Sequence, residues 1–322
     1  MKLMERGAGI LLTLAMAAGM AFPACAAEPF GGDAPVKGIL YRIHSGASTA
    51  YLLGSIHIGN QEMYPFGEAL QEAMAQADTF VFECDTGSGE ALETVRNLMY
   101  AQDGTRLEDM VSPECYEKLR QVCERKGYPL SGFETLRPWA AMNLLSFEVA
   151  AGELGMENAQ AAQALGVETH VKAFAQEKGK ALAYLETTRE QLEVLDGFSL
   201  DLQRYMLEQT LDVILEPSAA KGLDADMASW PALWREGDAQ AFAERYWEGY
   251  AGEEQEALVQ EYHAKLVTER NILMADRLAA MMEERPGTYF VTVGLLHVVL
   301  PGDSVAQRME EKGYQVEFLS GL

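Results

Sequence analysis

Two apolar runs at opposite ends of the chain close in the same way. Tyr51-Leu52-Leu53-Gly54-Ser55-Ile56-His57 lies near the start, and Tyr289-Phe290-Val291-Thr292-Val293-Gly294-Leu295-Leu296-His297 near the end. Each reads as a short strand followed by Gly-x-x-His. The chain has only five histidines, and two of them stand in this one frame. The two segments are therefore read as halves of one active site. That reading requires the two ends of the chain to meet in one sheet.

A chain of 322 residues with 48% hydrophobic content is long enough for a well-buried core. Its net charge of -24 argues against nucleic acid or an anionic membrane as a general-surface partner. The first residues have the layout of an export signal. Lys2 and Arg6 precede an apolar run over 7–22, and Ala24-Cys25-Ala26 fits a small-x-small cleavage site. The reading is a signal peptide over 1–27, an exported (periplasmic or secreted) product, and no membrane span after cleavage. Cys25 as a lipid anchor is disfavoured, because Phe22 and Pro23 suit a lipoprotein signal poorly. Cys84, Cys115 and Cys123 make no disulfide framework and read as small buried side chains.

After a leader to Lys37, 38–44 and 49–53 read as a β-hairpin, with His44 as a strand-end surface residue. A helix over 66–77 and a strand over 79–83 follow, which suggests a βαβ-like unit. That third strand closes on a carboxylate pair, Glu83 and Asp85, around Cys84. Polar residues at strand carboxyl ends stand where open α/β sheets bind ligands. Helical patterns cover 89–100, 112–126, 138–154 and 158–178. A short strand is read at 180–185, then more helix at 199–215, 238–248, 253–267 and 270–284. A loop is expected around Pro217, Gly222 and Pro231, and Trp230, Trp234 and Trp247 read as packing anchors. The last elements are strands at 288–293 and 314–319 around a helix at 302–312. The expected fold is α/β (α+β). A central mixed β-sheet comes from the N- and C-terminal halves, 38–85 and 286–322, and a long helical middle insertion fills about 89–285. All of 28–322 is read as one domain.

Imidazole and carboxylate together suit a divalent metal with an open position for water. Such a metal lowers the pKa of that water and polarises a carbonyl. The candidates are His57, Glu83 and His297. Without a metal, one histidine can act as general base with Glu83 orienting it. Arg270 and Asn271 read either as a solvated capping pair or as a cation that holds a substrate carboxylate or orients Glu83. His170 and His263 read as ordinary helix-face residues. His-Glu-x-x-His, Cys-x-x-Cys and Gly-x-Ser-x-Gly are absent from the sequence.

Leu53-Gly54-Ser55-Ile56-His57-Ile58-Gly59, Val81-Phe82-Glu83, Arg137-Pro138-Trp139, Leu185-Glu186-Thr187, Glu190-Gln191, Glu269-Arg270-Asn271 and Val293-Gly294-Leu295-Leu296-His297 follow one another as in the TraB/GumN family. The chain resembles that family from about Gly38 to Leu319, and through it the Tiki metalloproteases. The resemblance implies an α/β core in which His57, Glu83 and His297 form the site and bind a divalent metal, with Arg270 as a fourth member. By the same resemblance manganese or cobalt is favoured, zinc stays open, and the partner is a peptide or protein substrate that is cut. Pheromone-shutdown relatives imply instead a binding or sequestering role without turnover. A metal-free hydrolase of esterase type also stays open. In Gly166-Val167-Glu168-Thr169-His170 the family usually has aspartate where this chain has Glu168. The plain reading of Glu168 is an acid at a helix N-terminus.

Overall fold

The hairpin forms as its turn residues require. β1 (Ile39–Ser45) and β2 (Ser48–Ser55) pair antiparallel around Gly46, whose φ of 56° is the left-handed conformation that glycine supplies. The computed structural model describes residues 36–216, 229–248 and 256–320. The expected export signal, Cys25, Pro217, Gly222 and the side chain of Trp247 lie outside the described residues.

Four further strands complete a mixed sheet: β3 (Thr79–Phe82), β4 (Ala181–Tyr184), β5 (Thr288–Gly294) and β6 (Gln315–Phe318). The order is β4-β3-β5-β2-β1-β6, parallel from β4 to β2 and antiparallel at the β1 and β6 edge. The expected α/β architecture is therefore found, with both chain ends sharing one sheet. One relation differs from expectation. The β2 and β3 strands flank helix α1 (Glu68–Gln76), as a βαβ unit requires, but β5 inserts between them. The C-terminal run is thus the centre of the sheet, and its inner residues Phe290, Val291 and Val293 are fully buried. Phe290 packs on Phe80 of β3 with ring centres 5.4 Å apart.

Among the described residues the middle of the chain has helices and one strand of the sheet, β4. It holds α2 (Gly89–Met99), α3 (Leu107–Met110), α4 (Pro113–Lys126), α5 (Pro138–Glu153), α6 (Ala159–Ala164), α7 (Val167–Glu177), α8 (Thr188–Asp196) and α9 (Leu200–Leu215). After the undescribed 217–228 come α10 (Trp230–Glu236), α11 (Ala239–Glu248), α12 (Glu256–His263) and α13 (Glu269–Glu284). Next to the C-terminal strands lie α14 (Leu296–Val299) and α15 (Val305–Glu311).

Several boundaries differ from the sequence reading for identifiable reasons. The helix expected over 158–178 is two helices, because the backbone turns to extended geometry at Gly166. The segment after Glu186 is helix α8, capped by a reciprocal Thr187 and Glu190 capping box. Pro231 does not sit in a loop but in the first turn of α10, where its missing N–H costs nothing. Of the helices expected at 253–267 and 270–284, the described part from Glu256 onward forms one run, joined by a π-helical turn at Ala264–Thr268, and 253–255 lie outside the described residues. Trp230 and Trp234 are buried, and Trp234 donates its indole N–H to the Gly54 carbonyl at 2.7 Å. Cys84, Cys115 and Cys123 are free and buried, as read. His44 is an exposed strand-end residue bonded to Thr49.

Candidate active site

Parallel pairing of β2 and β5 sets Ser55 opposite Gly294. The Leu295 N–H then donates to the Ser55 carbonyl at 2.8 Å, so the two Gly-x-x-His segments lie side by side. Their glycines do different work. A Cβ on Gly54 would stand 2.8 Å from a Leu295 methyl, so this glycine lets the second segment pack on the first. Gly294 faces open chemistry instead. A Cβ built there lies 3.1 Å from Glu83 Oε1, 3.6 Å from His297 Cδ2 and 3.8 Å from His57 Nε2. The three expected side chains converge on the space that Gly294 leaves unfilled.

Each imidazole gives Nδ1 to a neighbour and turns its other edge toward that space. His57 Nδ1 lies 2.9 Å from Glu168 Oε2, and His297 Nδ1 lies 2.6 Å from Asn271 Oδ1. His297 Nε2 stands 3.9 Å from Glu83 Oε1. Glu83 therefore orients neither ring through Nδ1; Glu168 and Asn271 hold those positions. Glu168 is more than a helix N-terminal acid, since it is the hydrogen-bond partner of His57.

Arg270 is buried, not a solvated cap. Its Nη2 donates to Glu83 Oε2 and to Glu186 Oε2, both at 2.7 Å, and its Nε donates to Glu186 Oε1 at 3.0 Å. Of the two functional readings, orientation of Glu83 fits, and capture of a substrate carboxylate does not, because the guanidinium is already engaged on two acids. Glu83 Oε2 also accepts from Gln191 Nε2 at 2.5 Å, and Oε1 accepts the Gly294 N–H at 2.5 Å. The Cys84 thiol donates to Gln191 Oε1 at 2.8 Å and so fixes that amide.

The electrostatics follow from this packing. Burial is the largest single influence on Glu83 and opposes its charge, but Arg270, the two imidazoles and the Gly294 N–H together outweigh it and hold the carboxyl well below the usual range. Burial first, and then the Arg270 cation, push the His297 imidazole down to about 3. For His57 burial also opposes protonation, but the Glu168 bond and charge prevail and raise its pKa. Burial raises the Glu186 carboxyl even beside Arg270, with the nearby Glu83 and Glu190 charges acting the same way. The cleft is deepest at His297 and Glu83, and it opens at His57 and Glu168, whose side chains are 24% and 21% exposed.

The donors fit a divalent cation in kind. An ionised carboxylate has about four lone-pair sites. Arg270 and Gln191 take two on Oε2 and Gly294 one on Oε1, which leaves one on the side of His297. As the side chains stand, no group of three His, Cys, Asp or Glu among the described residues encloses an ion. Bonds of about 2 Å to one cation put two donors ~3–4 Å apart, so the 3.9 Å between Glu83 Oε1 and His297 Nε2 is in that range.

Glu186, Gln191 and Asn271 stand in the motifs quoted above, but their roles are not readable from spacing. Glu186 had a usable signal. The β3 and β4 strands are parallel neighbours with Phe82 opposite Tyr184, and the Glu186 N–H donates to the Glu83 carbonyl at 2.7 Å. Both acids stand just beyond strand carboxyl ends. His170 does not enter the cleft contacts; it stacks on Tyr64 with ring centres 4.0 Å apart. His263 lies beside Tyr246, with ring centres 6.0 Å apart.

The profile of the TraB/PrgY/gumN family matches residues 39–318. An uncharacterized protein YbaP of Shigella flexneri is 25% identical over 258 residues, covering 80% of this chain and 87% of that protein. The YbaP of Escherichia coli (strain K12) is 25% identical over 253 residues, covering 79% and 85%. No solved structure matches the chain.

Proposed function

The chain belongs to the TraB/PrgY/gumN family, and from that premise we propose that the cleft is the active centre of a divalent-metal hydrolase that cuts peptide or protein substrates. The observation that carries the reading is the convergence of His57 Nε2, Glu83 Oε1 and His297 beside Gly294. Formal charge supports it. Glu83 and Glu186 bring two buried negative charges against one positive on Arg270, a buried net of -1, and Glu168 adds a further negative charge at the open side, so with neutral imidazoles the site totals -2. Buried excess charge is costly unless compensated, and one divalent cation compensates it.

His57 Nε2, His297 Nε2 and Glu83 Oε1 would hold the cation, with manganese or cobalt favoured by the family resemblance. When bound, such an ion polarises a substrate carbonyl and acidifies water. The remaining work falls to the chain. Arg270 and Gln191 hold Glu83 ionised and fixed in rotamer. Glu168 accepts the His57 Nδ1–H, which fixes the ring and leaves Nε2 bare toward the cleft. Because Gly294 has no side chain, a substrate carbonyl can approach all three groups. The reading places the protein outside the cytoplasm, supported by the basic-then-apolar start of the sequence. Among the described residues no helix is long and apolar enough to cross a membrane.

The Glu168 and His57 pair also favours one second reading, a metal-free hydrolase with His57 as base. Peptide cleavage with and without chelator separates the two. The metal reading expects activity that chelator abolishes and Mn2+ or Co2+ restores, and that His57→Ala and His297→Ala each reduce at least ~100-fold. Full activity in chelator would select the metal-free reading. Tight peptide binding with no product by mass spectrometry would replace both with a sequestering role.

A further inference from the structure

His297 has only one available proton when neutral, and either ring nitrogen can carry it. Its edge toward Glu83 is useful as a ligand or acceptor only if Nε2 is bare. For His57 the matter is settled by a carboxylate, which can only accept. For His297 the partner is Asn271, an amide with an accepting end and a donating end. The neighbours of Asn271 decide which end faces the ring. Asn271 Nδ2 lies 2.5 Å from the backbone carbonyl of Asp303, which can only accept. The amide nitrogen must therefore point to Asp303, and Oδ1 must point to His297 Nδ1, 2.6 Å away.

The Asp303 segment is itself pinned. Its carboxylate accepts from Arg308 Nη2 at 2.6 Å and from the Thr268 hydroxyl. Thr268 is the last residue of the π-helical turn that precedes Arg270 and Asn271. Single-turn π segments often mark functional positions in long helices. Asn271 is fully buried, so solvent does not compete for either end of its amide.

We infer that Asn271 is a positioning residue that places the His297 proton on Nδ1 and so presents a bare Nε2 to the cleft. The amide acts through His297 and touches no substrate. Its orientation is set by the Asp303 carbonyl, and the π-helical turn and Arg308 hold that carbonyl in place. The value of this arrangement rests on the cleft being the reacting site, but the tautomer does not.

The test is long-range 1H–15N correlation on metal-free, 15N-labelled protein at neutral pH, which reads the tautomer of each histidine directly. In the wild type His297 is expected as Nδ1–H. Asn271→Leu removes the acceptor, and its His297 signals are expected to move toward Nε2–H. Asn271→Asp keeps an acceptor for the ring while losing the donor to the Asp303 carbonyl, so it is expected to retain Nδ1–H in a less stable protein. Titration with Co2+ is the second readout. Loss of an outer partner of a ligating histidine is expected to weaken binding about 10–100-fold in Asn271→Leu, with recovery in Asn271→Asp. A wild-type His297 in the Nε2–H form overturns the inference, even if Asn271→Leu does not fold. An unchanged tautomer in a folded Asn271→Leu overturns it as well. If the tautomer shifts as expected but no variant, nor the wild type, binds Co2+, the positioning role stands and the metal reading of the cleft falls.

Discussion

Arg270 lies between two acids that come from the ends of adjacent parallel strands. Its guanidinium meets Glu83 and Glu186 with an exposure of 6%. A lysine has no fork to bridge two carboxylates in this way, so the position suits arginine in particular. Replacement by an apolar side chain of similar length leaves two buried carboxylates without their cation. Arg270→Met is therefore expected to destabilise the fold by about 3–5 kcal/mol in urea unfolding. A loss under about 1 kcal/mol would mean that the acids take up protons or water at little cost, contrary to the charge balance described above. At this scale the sequence makes His57, Glu83 and His297 legible as candidates, because the scarce histidines and an acid stand just past strands, and Arg270 joins them as a site member through the family resemblance. The partners are harder to see. Glu168 shows only as an acid in a first helical turn, and nothing local marks it as the partner of a histidine 111 positions earlier. Asn271 is adjacent to Arg270 in every reading, but only the meeting of α13 with the loop before α15 gives it a role.

The break between α6 and α7 shows how one element serves the site. The break brings Gly166 against the His57 loop, where a Cβ would stand 2.3 Å from the His57 carbonyl oxygen. The Val167 N–H donates to the Ile56 carbonyl at 3.0 Å, and the α7 start then directs Glu168 to His57. Gly59 makes a similar close approach, since a Cβ there would stand 2.3 Å from the Leu165 carbonyl oxygen. Backbone cannot yield as a side-chain tip can. Gly166→Ala is expected to cost about 1–3 kcal/mol of stability and to reduce turnover more than it raises KM, because it moves His57. Unchanged thermal stability and kinetics would show that the α7 start does not set the His57 position. The two-helix break was not legible because Gly166 has φ -65°, which calls for no glycine; the close approach is a tertiary fact. The long helices were legible from their apolar spacing, and α8 was missed although Thr187 and Glu190 have the spacing of a capping box.

Across the whole molecule, the central position of β5 is what makes a site from distant segments. The strand positions were readable from the apolar runs, and the antiparallel β1 and β2 pairing from the hairpin. The insertion of β5 between β2 and β3 was not, because parallel order depends on how crossovers pack, not on the runs themselves. Insertion puts Gly294 beside Ser55 and next to the end of β3, so His57, Glu83 and His297 gather at the carboxyl ends of three adjacent parallel strands. The overall charge of -24 gives no such focus; the functional charge is the uncompensated pair inside the cleft. The most direct measurement is anomalous diffraction at the cobalt edge from crystals of the purified protein equilibrated with Co2+. The expected result is a single strong anomalous peak in the cleft, bonded to His57 Nε2, His297 Nε2 and Glu83 Oε1. A cleft without a peak at saturating Co2+, or an ion bound only elsewhere, would contradict the metal site.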